Sequence, residues 1–189
     1  MTAVLMCGDR RLPGPLAGLT RIGLDEVTDH PRVVVVGADA DLAAVLTALL
    51  RADRLDVEVA HVRRAWQARR ARTGVATRVP LIRDETGTVI VGAAQWTGAR
   101  PGEPLHGEAV VDDDVLFDGD VAGVRIEPTT ALPGLRATVL GPGRRRWLTG
   151  RAAQLGTTGA TVTRDGVALA RPVRRSAFYR HTQGWLRVG

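Results

Sequence analysis

Hydrophobic positions fall into two textures along this chain. In the first, Arg32-Val33-Val34-Val35-Val36-Gly37 is a β-branched run without alternation. Such a run predicts a strand buried on both faces and paired in parallel. Behind it, Leu42, Val45, Leu46, Leu49 and Leu50 recur at i, i+3, i+4, i+7 and i+8, the pattern of an amphipathic helix. Residues 55–62 then alternate as a second strand. Strand, helix and strand make a βαβ unit with a right-handed crossover. A short strand is also expected at Ala3–Cys7, ahead of turn signals at Leu12-Pro13-Gly14-Pro15, Gly18 and Gly23.

From Val79 onward the texture changes. Short apolar runs at 79–82, 88–91, 108–111, 121–126, 135–140, 147–149, 153–155, 160–163 and 185–188 are separated by Gly, Pro and Asp turns. That spacing predicts an antiparallel β-sandwich. The boundary is expected near residue 80, giving an α/β domain over 1–80 and a β-sandwich domain over 81–189.

The chain has 189 residues and 44% apolar content, enough for one ordinary domain or two small ones with real cores. No run of eighteen apolar residues exists, so no membrane-spanning helix is expected. Met1–Gly14 lacks the basic flank and apolar stretch of a signal peptide, which makes a cytoplasmic address the expectation. Cys7 is the only cysteine, so an intramolecular disulfide and a cysteine-built zinc site are excluded.

The formal charge is +6, and every cation is Arg because the sequence holds no Lys. A P-loop needs a lysine on the transferred phosphates, and a Schiff base needs one too, so both are excluded. An Arg-only chain suits a GC-rich genome. It also suits phosphate, which guanidinium grips through its fork geometry. Six arginines cluster between Arg63 and Arg78, with Trp66 among them, on an expected short basic helix ending at Gly74. The simpler reading is a solvated face with Trp66 tucked inward. The sharper one is an anionic surface of Arg63, Arg64, Arg69, Arg70 and Arg72 for phosphate or lipid headgroups.

Candidate chemistry sits at the turn Gly37-Ala38-Asp39-Ala40-Asp41, between a buried strand and a helix N-terminus. Free N–H groups and the helix dipole favour anions there. The two carboxylates repel phosphate unless Mg²⁺ lies between, which would make Asp39 and Asp41 its ligands. The simpler reading has both acids as helix caps. Asp112-Asp113-Asp114 and Asp118-Gly119-Asp120 lack the distal Glu of a calcium loop and read as hairpin turns. His30, His61, His106 and His181 show no metal spacing. A triad of Ser176, His181 and Asp165 lacks a nucleophile-elbow pattern.

The run Val33–Val36 followed by Gly37-Ala38-Asp39-Ala40-Asp41 and a Leu-rich helix resembles the Gly-Gly-Asp-Gly-Thr phosphate loop of diacylglycerol, sphingosine and NAD kinases. Gly150-Arg151-Ala152-Ala153-Gln154-Leu155-Gly156, then Arg164-Asp165-Gly166-Val167, Arg171-Pro172-Val173-Arg174-Arg175 and Phe178-Tyr179-Arg180-His181, is similar to the C-terminal segment of short actinobacterial diacylglycerol-kinase-like proteins. The resemblance spans roughly residues 32–188. It implies a Rossmann-like βαβ unit followed by an antiparallel β-sandwich, with ATP and Mg²⁺ as cofactors if the chain is active. Gly37 and Asp39 match the loop's first glycine and its aspartate. Asp165 and Gly166 match an Asp-Gly-Glu element whose aspartate is expected to be the general base.

Three departures stand against this. Ala38 and Ala40 replace loop glycines, the Gly-Thr-Gly-Asn-Asp-Phe motif is absent from residues 62–74, and Val167 stands where the glutamate would be. Losing one stabilising donor costs a phosphoryl-transfer site a factor of about a hundred. The expectation is a weakly active or non-catalytic relative that binds a ligand, lipid surface or partner. The alternative is an active ATP- and Mg-dependent lipid kinase. A homo-oligomer, peripheral to the membrane if attached to one, is expected; nucleic acid is not.

Overall fold

The computed structural model describes residues 1–143 and 145–189. Its elements, in chain order, are β1 (Thr2–Met6), β2 (Thr20–Ile22), β3 (Arg32–Val36), α1 (Asp39–Arg51), β4 (Glu58–Val62), α2 (Ala68–Thr73) and β5 (Ala76–Val79). The strands β6 (Ile82–Asp84), β7 (Val89–Ile90), β8 (Ala94–Gly98), β9 (Leu105–Val111), β10 (Asp114–Val121) and β11 (Val124–Pro128) follow. The last are β12 (Leu135–Val139), β13 (Leu148–Gly150), β14 (Ala152–Arg164), β15 (Val167–Ala168), β16 (Val173–Arg180) and β17 (Trp185–Val188). The chain forms two compact units, Met1–Val79 with Gln183–Gly189, and Pro80–Thr182.

The first unit is a six-stranded sheet in the order β2-β1-β3-β4-β17-β5. All neighbours are parallel except β17 and β5. The sequence places 185–188 in the sandwich, and the structure corrects this. Trp185–Val188 closes the first sheet between β4 and β5, because Leu186–Val188 pairs with Glu58–Ala60 on one side and Arg78–Ala76 on the other. The sheet is therefore mixed, with an antiparallel edge.

Val33–Val36 are buried, as their β-branched run requires, and each such side chain contributes about 1.5 kcal/mol or more. Val34 and Val36 join Val4, Ala60, Val62 and Val188 under Leu16 and the α2 residues Ala68 and Ala71. Val33 and Val35 point the opposite way by strand alternation. On α1, Leu42, Val45, Leu46 and Leu49 are buried and Arg51 sits in the last turn. A cation there complements the carboxyl end of the helix dipole.

The second unit is one large antiparallel sheet. Its hub is β14, thirteen residues long, which pairs with β9 and β16 along its first half and with β8 and β15 along its second. A register break between Gly156 and Ala160 separates the halves. The sequence shows this strand as two short runs because Gly156–Gly159 interrupts the apolar pattern. Trp96 and Phe178 anchor the core with ring centroids 5.9 Å apart. The Trp96 indole N–H donates to the buried Ser176 hydroxyl at 3.0 Å, so Ser176 is a core partner. The acidic cluster is only partly a turn: Asp112 and Asp113 turn between β9 and β10, while Asp114–Asp120 lies within β10.

Candidate functional site

The carboxyl ends of β1, β3 and β4 lie side by side in the first sheet. The chain leaves β1 toward β2 on one side and enters β3 on the other, so the strand order reverses here. Open α/β sheets bind ligands at such a reversal. Cys7 follows β1, Gly37–Asp41 follows β3, and His61 and Arg63 end β4.

The five-residue turn is wired internally. The Gly37 N–H donates to the Val62 carbonyl at 3.3 Å. The Ala38 N–H donates to the Asp41 carboxylate at 2.7 Å, which makes Asp41 the cap of α1. A Cβ added at Gly37 would stand 2.4 Å from Asp41 Oδ2, so the Asp41 side chain fills the space that glycine leaves open. Cys7 also hydrogen-bonds the Asp41 carboxylate. Burial first, then the charge and hydrogen bond of Asp41, push the Cys7 thiol up to about 11, against a smaller pull down from Arg10. The thiol is thus protonated and unreactive at neutral pH.

Asp39 points elsewhere. Its Oδ1 lies 3.5 Å from an Arg63 guanidinium nitrogen and 3.9 Å from His61 Nδ1. His61 Nε2 is 3.2 Å from the Gly37 carbonyl, so Nε2 carries the proton and donates. Burial, the largest influence, holds His61 below its ordinary value of 6.5 despite the neighbouring Asp39. At neutral pH the imidazole is uncharged, and the ion pair here is Asp39 with Arg63.

These contacts test whether the turn fits a nucleotide and its cation. The Gly37 and Ala38 N–H groups are both engaged, and the space over Gly37 holds a carboxylate. Phosphate would meet negative charge where it needs donors. Asp39 and Asp41 face different partners, and no three His, Cys, Asp or Glu side chains gather for a metal among the described residues. As it stands, the Gly37–Ala38 end of the turn has no free N–H to offer a phosphate, and Asp39 and Asp41 are held by different partners.

Asp165 belongs to the second unit. It and Gly166 make the turn between β14 and β15, both with positive φ, +47° and +87°. Two such residues form the tight hairpin turn whose twist suits the flanking strands. The half-buried Asp165 carboxylate accepts from the N–H groups of Val91, Gly92 and Ala93 at 2.9, 2.7 and 3.0 Å. Its own N–H donates to the Ala93 carbonyl at 2.8 Å. Asp165 clamps the segment between β7 and β8. Val167, in the glutamate position, is exposed on β15.

The Arg-rich stretch differs from its simpler reading in one respect. Trp66 is 74% exposed rather than tucked inward, because Ala68 and Ala71 take the buried side of the short helix. Two of the five arginines are spent on the fold. Arg63 holds Asp39, and Arg72 donates to the Pro15 carbonyl at 2.8 Å. Arg64, Arg69 and Arg70 are exposed and belong to none of the ion pairs among the described residues. A hollow of 170 Å³ lies against this segment, lined by His61, Trp66, Gln67, Arg70, Ala71 and the end of β17. Sequence reasoning missed Arg187 of that lining, since β17 was assigned to the other unit.

Solved structures carry the same architecture. An NAD kinase from Archaeoglobus fulgidus, in complex with ATP, superposes with a TM-score of 0.68 at 11% identity, over 100% of this chain and 93% of that one. A diacylglycerol kinase from Bacillus anthracis gives 0.71 at 10% identity, over 99% of this chain and 96% of that one. Neither a protein-family model nor a curated protein matches the sequence. The likeness is one of fold, and the chain has the fold of diacylglycerol and NAD kinases, a Rossmann-like parallel core joined to a large antiparallel sheet.

Proposed function

We propose that this protein is a non-catalytic or very weakly active relative of the lipid kinases that share its fold, binding a ligand, lipid surface or partner in the cytoplasm. The observation that carries the reading is the Asp41 carboxylate, which takes the Ala38 N–H and the space over Gly37. A phosphate group would have to displace a charge already hydrogen-bonded to the backbone. Asp165, the residue matching the family's base, spends both carboxylate oxygens on three backbone N–H groups. A general base must instead accept a proton from the substrate hydroxyl.

The alternative is an active ATP- and Mg-dependent lipid kinase with Asp39 and Asp41 toward metal and Asp165 as base. Its support is the shared fold and the ATP held by the Archaeoglobus neighbour. Titration calorimetry with Mg²⁺-ATP separates the two. The non-catalytic reading expects a dissociation constant no tighter than about 0.1–1 mM, near −4 to −5.5 kcal/mol. Micromolar binding, with phosphate transfer to a lipid hydroxyl, would establish the alternative.

A further inference from the structure

We propose that the outward side of residues 65–75 is a docking face for an anionic lipid surface. Trp66 enters the headgroup region, and Arg69 and Arg70 meet the lipid phosphates. This supplies the partner that the non-catalytic reading leaves open. It does not depend on the Gly37–Asp41 turn, so nucleotide titration and lipid binding fail separately.

The charge count comes first. Residues 63–78 hold six of the 26 basic residues and no acid, and the remaining 20 equal the chain's 20 acids. The stretch therefore carries a local charge of +6 with no acid inside it to offset the arginines. After Arg63 and Arg72 are committed to Asp39 and Pro15, Arg64, Arg69 and Arg70 still project outward. Anionic headgroups attract such residues by about 1 kcal/mol each.

The apolar part comes second. Trp66 precedes Arg69 and Arg70 by three and four residues, so all three share one side of the helical segment, opposite the buried Ala68 and Ala71. An exposed indole flanked by guanidinium groups matches a membrane interface, where the ring sits at headgroup level and the charges meet phosphate. Val75, just past the stop at Gly74, is 77% exposed and adds apolar surface. Nucleic acid would use the same cations. However, the stretch offers one aromatic ring, where single strands are held by stacking successive bases on several.

The test is co-sedimentation with phosphatidylcholine vesicles, either pure or carrying about 30% phosphatidylglycerol, read alongside tryptophan fluorescence. The expected result is binding to the acidic vesicles alone, a blue-shifted emission lost in Trp66→Ala, and release at about 0.5 M salt. Arg69→Gln and Arg70→Gln should each weaken binding about fivefold, the effect of one basic side chain at such a surface. Arg69→Lys and Arg70→Lys should keep most of it. Arg21→Gln, an exposed arginine elsewhere in the same unit, should change nothing. Equal binding to neutral vesicles, equal loss in Arg21→Gln, or binding to single-stranded RNA in place of acidic vesicles would overturn the proposal.

Discussion

The Gly37–Asp41 turn and the Arg63–Val75 stretch sit in the same unit, and both look charged and ligand-ready in one dimension. In the turn, every charge is used within the fold. Asp41 holds a backbone N–H and a thiol, and Asp39 holds Arg63. In the stretch, the helix satisfies itself with two buried alanines, and an indole and three guanidinium groups are left over. Counting charges does not distinguish the two, whereas asking what each charge already touches does. The same question sorts Asp165 with the turn, because its carboxylate is engaged by three N–H groups.

That grouping makes Asp165 the place to break the comparison hardest. Asp165→Ala leaves three part-buried N–H groups without their acceptor, and the expected loss is about 2–3 kcal/mol. For a chain of this size that lowers the melting temperature by roughly 5–10 °C, read by scanning calorimetry. An ordinary exposed hairpin residue would lose less than about half a kcal/mol on substitution. An unchanged melting temperature would show that the clamp contributes nothing and would return Asp165 to the candidate bases.

The next effect is pH-dependent and rests on His61. Its folded value is held below 6.5 by burial, so the folded state resists protonation that the unfolded chain accepts. The stability it contributes is present above pH 6.5 and is lost as pH falls from there toward its folded value. Melting temperatures taken downward from about pH 7.5 should drop, and His61→Gln should flatten the drop. A profile that is the same in both proteins would detach His61 from the turn.

Much of the fold was legible because it depends on local patterns. The Val33–Val36 run and the Leu42–Leu50 spacing lead to β3 and α1 directly. The parts that were not legible depend on distant partners. Trp185–Val188 is four residues with no signal of which sheet needs them, and β17 is defined only by β4 and β5 on either side. In Val173–Arg180, arginines break the apolar alternation, so β16 is visible only beside β14 and β6. The candidate turn was located correctly in sequence as a strand-to-helix junction. The simpler reading of both acids as helix caps is met by Asp41, whose carboxylate takes the Ala38 N–H, and not by Asp39, which pairs with Arg63. The exposure of Trp66 was misjudged. An aromatic residue is assumed to go inside, but two alanines had taken the inside already.

The smallest effect concerns Cys7, whose thiol reports on Asp41 from the neighbouring strand. Alkylation by iodoacetamide should rise with pH to a midpoint near 11, against 9.0 for an ordinary thiol. Asp41→Asn should lower that midpoint, though not to 9.0, because burial is the larger cause. A midpoint at 9.0 in the parent protein would place the Asp41 carboxylate away from the turn's inner face.

The most direct measurement of the central claim is Mg²⁺-ATP titration of the parent protein beside Ala38→Gly/Asp41→Ser. The double variant removes one methyl group and the carboxylate while keeping a small hydroxyl at the helix start. The account predicts a parent dissociation constant no tighter than about 0.1 mM and a variant that binds at least about fivefold tighter. Micromolar binding by the parent, with no gain in the variant, would contradict it.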